Sequence, residues 1–163
     1  MATTRTTSTV KEDIPATGDA IAILMHDHAQ VKPLLLQLPD AGPGTRKGLL
    51  DEIVAALTVH NATEENLVYP AIREIAERAQ HAGQLYHQQD EAKVMLWELS
   101  NLLDDDAAFK PKAEKLRDAI LAHVHQEEEH EFPHLREAAG ADMKQITAEV
   151  RKFRREFRFT PAA

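Results

Sequence analysis

Apolar residues recur at steps of three and four along most of this chain, a spacing that is typical of amphipathic α-helices. A first stripe consists of Ile21, Leu24, His28, Val31, Leu35 and Leu38, and Pro39 is expected to end its helix. After a loop at residues 41–44 and an expected N-cap at Thr45, a second stripe consists of Leu50, Ile53, Leu57, His60, Glu64 and Leu67. Pro70 is expected to kink or end this second helix.

Two more long stripes follow, and a shorter one lies near the end of the chain. The third consists of Leu85, Gln89, Ala92, Leu96, Leu99 and Leu103. The fourth consists of Leu116, Ile120, His123 and Glu127, with Pro111 expected in the first turn of its helix. A fifth helix is predicted from Asp142 to about Phe157, with Met143, Ile146, Val150 and Phe153 on one face. No segment alternates with a period of two, so we predict an all-α, up-down-up-down four-helix bundle with a short C-terminal fifth helix.

The length of 163 residues suits a single domain. We predict a flexible N-terminal arm over residues 1–17, which is rich in Thr and has no periodicity, the bundle over residues 18–140, and a basic C-terminal helix and tail over residues 141–163. The formal charge of −8 argues against a nucleic-acid partner, and no apolar run approaches the roughly 20 residues of a membrane span. A cytoplasmic protein without a membrane partner is therefore expected.

An internal repeat links the second and fourth helices. The segment from His60 to Arg73 aligns with the segment from His123 to Arg136, with the histidine, both glutamates, the aromatic residue, the proline and the arginine in register. Residues 24–38 align in the same way with residues 85–99. A repeated helix hairpin that cannot bury its apolar face alone packs against its copy, which again predicts a four-helix bundle.

Both copies of the repeat place a histidine and a glutamate four residues apart, on one face of a helix. If His60, Glu64, His123 and Glu127 are buried, they need partners, because an uncompensated buried charge costs several kcal/mol. The chain has no cysteine, so a metal would be held by nitrogen and oxygen, which suits iron, manganese or zinc. Carboxylates from two facing helices can bridge two ions. The alternative is that the two histidine–glutamate pairs lie on a solvated face of their helices and bind no metal.

The combined motifs resemble the hemerythrin-like or HHE cation-binding domain over about Asp19 to Ala139. The matching residues are Asp27 and His28, then His60, Glu64, Glu65, Tyr69 and Pro70, and finally His123, Glu127, Glu128, Phe132 and Pro133. The resemblance implies a non-haem centre of two iron ions with His28, His60, Glu64, His123 and Glu127 as ligands. It further implies that Glu64 and Glu127 bridge the two ions.

The chain departs from this family on the third helix, where such domains present a histidine and this chain has Gln89. Tyr86, the amide oxygen of Gln89, or no residue at all would replace that ligand. Glu128 and His130 are further candidates for direct or outer contacts with the metal. His26 and His87 lie two residues from the inward positions, about 200° around their helices, and are expected at the surface.

The resemblance implies a protein that binds O2, NO or peroxide for sensing, storage or detoxification. One alternative is a bundle with an incomplete site, holding one metal ion or none, that acts through protein contacts. Another is an iron-dependent enzyme that consumes peroxide. The basic C-terminal helix could contact an acidic protein partner, although we favour a packed helix whose Phe153 and Phe157 dock while its arginines pair with carboxylates.

Overall fold

The computed structural model describes residues 14–157, and this part of the chain is almost entirely helical, with no β-strand. The helices are α1 (Ala20–Gln37), α2 (Pro43–Thr63), α3 (Tyr69–Glu74), α4 (Ala79–Ser100), α5 (Asp106–Gln126), α6 (Phe132–Ala139) and α7 (Met143–Glu156). Short 3₁₀ turns at Leu38–Asp40 and Gly140–Asp142 follow α1 and α6. The all-α prediction is confirmed.

Two of the predicted helix starts are wrong by a few residues. Helix α2 begins at Pro43, which fits the first helical position because its missing N–H would have no partner there, so Thr45 is not the N-cap. Helix α5 begins at Asp106 because the carboxylate of Asp105 accepts the N–H groups of Ala107 and Ala108. Pro111 therefore lies inside α5 rather than in its first turn.

Two π-helical segments, Glu64–Val68 and Glu127–Glu131, occupy equivalent positions in the two halves of the repeat. In each, an N–H bonds five residues back, from Tyr69 to Glu64 and from Phe132 to Glu127. Pro70 and Pro133 follow directly and would clash with the preceding turn of an ordinary α-helix. The wider turn lets the chain continue through each proline, so Pro70 does not end the helical path.

The bundle consists of α1, α2 continued by α3, α4, and α5 continued by α6, with each packed against the next. Its apolar interior forms two clusters. One surrounds Leu24, Ile72, Leu85 and Leu135, and the other surrounds Leu35, Ile53, Leu99 and Leu116. On each of the four long helical paths the polar inward residues lie at or near the boundary between these clusters in sequence, so a polar layer interrupts the core.

Helix α7 packs against α1 and α2 and adds Met143, Ile146 and Val150 to the first cluster. Its fourth buried residue is Arg154 rather than the expected Phe153, which is half-buried beside Phe157. Of the predicted arm and tail, residues 1–13 and 158–163 lie outside the described residues. Within residues 14–157, none of the helices combines the length and the apolarity of a membrane span.

Candidate metal centre

Four buried side chains converge in the polar layer. His28 from α1, His60 from α2, and Glu64 and Glu127 from the two π-helical segments bring one nitrogen or oxygen atom each to within 4.8 Å of one another. His60 Nε2 lies 3.2 Å from Glu64 Oε2, and His28 Nε2 lies 3.4 Å from Glu127 Oε2. Three of the four residues, His60, Glu64 and Glu127, come from the repeated motif. His28 is the ligand on the first helix that the resemblance implies, and His123, the other histidine of the motif, lies outside this group.

Tyr69 joins this cluster, although its role was not expected from the sequence. Its side chain is 0 % exposed, and its hydroxyl lies 2.7 Å from Glu127 Oε1 and 3.1 Å from Glu64 Oε2. His123 Nε2 lies 3.3 Å from the same hydroxyl and 3.4 Å from Glu127 Oε1. The π turn makes this contact, because five residues along an ordinary α-helix Tyr69 would point about 140° away from Glu64.

Gln89 fills the position on α4 where a family member would carry histidine. Its Nε2 donates to Glu64 Oε2 at 2.5 Å and to the Tyr69 hydroxyl at 2.7 Å. The side chain is buried inside the bundle, so the predicted inward position is correct. The amide and the phenol together take up the space between the two glutamates on this side.

All three clustered imidazoles are held through Nδ1 by an oxygen acceptor, which fixes the ring orientation. The pairs are His28 with Glu128 at 2.9 Å, His60 with Asp27 at 3.2 Å, and His123 with Gln88 at 2.7 Å. Since carboxylate and amide oxygens only accept, each Nδ1 must donate. In the neutral imidazole Nε2 then presents its lone pair to the centre of the layer, which is how histidines that bind metals are usually held.

The polar layer contains lone pairs that no described residue satisfies. Glu64 Oε1, Glu127 Oε2 and Gln89 Oε1 are buried oxygen atoms without a hydrogen-bond donor among residues 14–157. His28 Nε2 and His60 Nε2 lie only 3.2 Å apart, so their lone pairs repel unless a proton or a cation lies between them. The residues present therefore fit a cation, and the imidazole and carboxylate donors suit iron, manganese or zinc.

The histidines differ in their electrostatic surroundings. Burial alone would lower the pKa of His60, but the charges and hydrogen bonds of Glu64 and Asp27 outweigh it and raise the pKa to about 10. Burial lowers the pKa of His123, whose Nδ1 partner is a neutral amide. In the absence of a metal, a proton on His60 therefore compensates part of the negative charge of Glu64 and Asp27.

The remaining sequence-predicted candidates lie outside the donor group. The Tyr86 hydroxyl donates to the backbone oxygen of Glu65, and only the ring of Tyr86 contacts Tyr69. His130 is exposed and faces His125, so neither Tyr86 nor His130 reaches the cluster. Glu128 reaches it indirectly through His28 and also accepts from Lys32.

A cavity of about 20 Å³ adjoins the cluster on the side of the second apolar core. His28, His60, His123 and Gln89 line one side. The other lining residues are mostly apolar and include Val31, Leu57, Ala92, Ile120 and Val124. This volume is enough for about one molecule of the size of water, so the space beside the imidazoles admits a very small ligand.

A buried cluster of histidine and glutamate side chains inside a four-helix bundle defines a class of cation-binding helical proteins. The chain belongs to the hemerythrin HHE cation-binding domain family, whose model matches residues 19–135. The resemblance read from the motifs is thereby confirmed. The matched span includes all the residues of the donor cluster and ends before α7.

Two relatives match part of this chain. The chain is 28 % identical over 115 residues to a DNA nickase of Nostoc sp., covering 70 % of this chain and 32 % of that protein. It is 27 % identical over 115 residues to an uncharacterized hemerythrin-like protein of Schizosaccharomyces pombe, covering 63 % of this chain and 54 % of that protein. The chain thus spans about a third to a half of the length of these relatives.

The fold is similar to the crystal structure of a hemerythrin HHE cation-binding domain-containing protein from Mycobacterium kansasii. The TM-score is 0.62 with 22 % identity, and the match covers 87 % of this chain and 96 % of that chain. At this identity the likeness shows the fold alone. It confirms the predicted helical-bundle architecture.

Proposed function

We propose that this chain is a non-haem di-iron protein that binds a small ligand such as O2, NO or peroxide for sensing, storage or detoxification. The observation that carries the proposal is the convergence of four buried donors whose remaining lone pairs have no partner in the polar layer. The residues that would hold the iron are His28, His60, Glu64, His123 and Glu127. When bound, the iron would supply the affinity for the diatomic or peroxide ligand.

The protein residues supply orientation and exclude water. The Nδ1 contacts fix the three rings, and the apolar side chains of Val31, Leu57, Ile120 and Val124 line the cavity beside them. The Tyr69 hydroxyl and the Gln89 amide hold Glu64 from the opposite side. A cavity of about 20 Å³ favours ligands of two or three atoms over larger substrates.

Metal analysis of the purified chain after loading with Fe²⁺ tests the di-iron proposal. We expect about two iron ions per chain, and fewer in His60→Ala, because this variant removes a central donor. His87→Ala, which removes an exposed histidine from α4, should leave the content unchanged. Less than one iron per chain in the unmodified protein would exclude the proposal.

The size of the cavity tests the ligand class. Ala92→Val adds two methyl groups to the cavity wall and is expected to weaken NO binding to the iron-loaded protein at unchanged iron content. Ala148→Val makes the same change at an exposed position of α7, away from the cavity, and serves as the control. Equal NO affinity in both variants would place the ligand elsewhere.

One observation favours a second candidate, a site for a single ion. His123 lies outside the four-donor group, and the amide of Gln89 occupies the side where a further histidine would bind. This candidate predicts about one metal ion per chain, rising to two in Gln89→His. Two ions in the unmodified chain would rule it out.

A further inference from the structure

Arg154 is a buried cation on a helix that the family match does not include. Its side chain is only 5 % exposed, and α7 begins after residue 135, where the matched span ends. A buried guanidinium is costly unless a charged partner compensates it. Arg154 is therefore expected to contact a negative charge inside the bundle, and one such contact is made with α1.

The partner is Asp27, the residue that holds His60. Arg154 Nη2 donates to Asp27 Oδ2 at 2.8 Å, and the same oxygen accepts His60 Nδ1 at 3.2 Å. The three side chains thus form a continuous path from α7 to the donor cluster. Burial would raise the pKa of the Asp27 carboxyl, but His60 and Arg154 together outweigh it and hold this pKa below its usual value.

The same arrangement occurs a second time in the layer. His28 Nδ1 donates to Glu128, which also accepts from Lys32, so a cation again stands behind the carboxylate. His123 differs, because its partner Gln88 donates in turn to the amide oxygen of Gln126. Cations therefore support two of the three clustered imidazoles, and only the cation behind His60 comes from α7.

Helix α7 is held firmly enough to place Arg154. The Thr147 hydroxyl oxygen accepts the N–H of Ala20 at 3.0 Å, which ties α7 to the first turn of α1. Arg151 donates to the backbone oxygens of Pro15 and Gly18. With Val150 fully buried between these contacts, α7 is fixed over the two turns that precede Arg154.

We propose that Arg154 is a positioning residue for the metal centre, fixing the Asp27 carboxylate on His60 and thereby the orientation of His60 Nε2. The proposal rests on the proposed metal-binding function. The Nη2 group of Arg154 bonds to Asp27 Oδ2 and keeps this partly exposed carboxylate against His60 Nδ1, whereas without that bond the carboxylate would be free to turn towards water. The C-terminal helix is then part of the centre rather than an appendage.

Co²⁺ binding to the full chain tests this role, with affinity and visible absorption bands as readouts. Arg154→Gln is expected to weaken Co²⁺ binding by about tenfold and to shift the bands, as the loss of an outer contact typically does. Arg154→Lys retains the charge but carries it on a shorter side chain with a differently placed donor, so it should recover only part of the affinity. Lys152→Gln, which replaces an exposed cation of α7 by the same amide, should match the unmodified chain.

A double-mutant cycle distinguishes positioning from a merely structural role. If Arg154 acts through Asp27, Arg154→Gln causes no further loss of Co²⁺ affinity in an Asp27→Asn background. A full tenfold loss in that background overturns the proposal. So does a variant that unfolds at a lower temperature but keeps the affinity and the bands of the unmodified chain.

NMR of the metal-free protein separates this inference from the proposed function. The Nδ1 proton of His60 should be protected from exchange in the unmodified chain and in Lys152→Gln, and lose protection in Arg154→Gln. Unchanged protection in Arg154→Gln overturns the inference. If the unmodified chain binds no Co²⁺ while the Arg154→Gln protein loses protection, the metal-binding function fails and the positioning of His60 stands.

Discussion

A single hydroxyl links most of the side chains of the polar layer. The hydroxyl of Tyr69 lies within hydrogen-bonding distance of Glu64, Glu127 and His123 and can donate its proton to one of them at a time. The same hydroxyl accepts a hydrogen bond from the amide of Gln89. Burial raises its pKa well above 10, and the two carboxylates raise it further, so the metal-free phenol keeps its proton. A neutral donor between two buried carboxylates reduces the cost of holding them close together.

Replacing this hydroxyl tests its contribution to the metal-free fold. Tyr69→Phe is expected to lower the free energy of unfolding by about 1–3 kcal/mol, because it removes the one hydroxyl proton that lies between the buried carboxylates of Glu64 and Glu127. Tyr86→Phe removes one partly buried bond to a backbone oxygen and should cost about 1 kcal/mol or less. Urea unfolding in the presence of a chelator measures both; equal losses would contradict the central role of Tyr69.

Some of the residues of the polar layer could be predicted from the sequence and others could not, for physical reasons. His28, His60, Glu64, Gln89, His123 and Glu127 interrupt apolar stripes, and each of them is buried. The contact between Tyr69 and Glu64 could not be predicted, because α-helical spacing points the two side chains in different directions. The π turn is what places them on the same side. The one signal of this contact was the difference between the two copies of the repeat, which place Tyr69 opposite Phe132. The pairing of an arginine of the last helix with a carboxylate was expected, but the burial of Arg154 was not, because hydropathy assigns an arginine to the surface.

Among the helices, the start of α1 shows how capping and tertiary contacts combine. The Asp19 carboxylate accepts the N–H of Ala22 at 2.8 Å and also accepts from Arg136, at 2.8 and 2.9 Å. Asp19 thus caps α1 and ties it to α6, at the end of the bundle nearest α7. The N-cap predicted at Thr45 was wrong and the cap at Asp19 was not predicted. The π turns were not predicted either, because they depend on which residues must face the interior.

Acid is expected to weaken this contact. The hydrogen bonds from Arg136 lower the pKa of Asp19 below its usual value of 3.8, outweighing partial burial, so the folded state favours the charged form. The resulting stability is present above pH 3.8 and is lost as the pH falls through the lowered pKa. Asp19→Asn keeps a capping oxygen but loses the charge, and should cost up to about 1 kcal/mol at neutral pH.

Urea unfolding of the metal-free proteins as a function of pH tests this expectation. The stability difference between the unmodified chain and Asp19→Asn should shrink towards zero as the pH falls below 3.8. Metal-free protein is required so that protonation of the donor cluster does not contribute to the difference through metal release. A difference that stays constant down to the acid limit would mean that the charge of Asp19 contributes nothing.

Across the whole molecule, the polar layer divides one bundle into two apolar clusters. Leu24 and Leu85 belong to the first cluster, and Leu35 and Leu99 to the second. Without a cation the layer contains unsatisfied acceptors, so it is the weakest section of the interior. A bound ion would join the two clusters by linking α1, α2 and the π-helical segments that follow α2 and α5.

Metal binding should therefore raise the thermal stability of the entire bundle. At free Fe²⁺ about 100 times its Kd, the gain is about 2.7 kcal/mol, which corresponds to roughly 5–10 °C in Tm for a domain of this size. Chelation should reverse the shift. His60→Ala should show little shift and His87→Ala the full one, and a Tm that does not respond to the metal would argue against a site in the core.

The paired π turns also bear on symmetry. Two separate copies of one helix hairpin, related by a two-fold axis, would present the same residue at each equivalent position: two tyrosines or two phenylalanines beyond the turns. When the two halves are joined in one chain, their sequences can differ at equivalent positions. Tyr69 therefore forms hydrogen bonds with the glutamates, while Phe132 stacks on the ring of His28. Covalent linkage thus permits two chemically different sides of the layer, one with a hydrogen-bonding phenol and one with an apolar ring, which no symmetric pair of identical hairpins can offer.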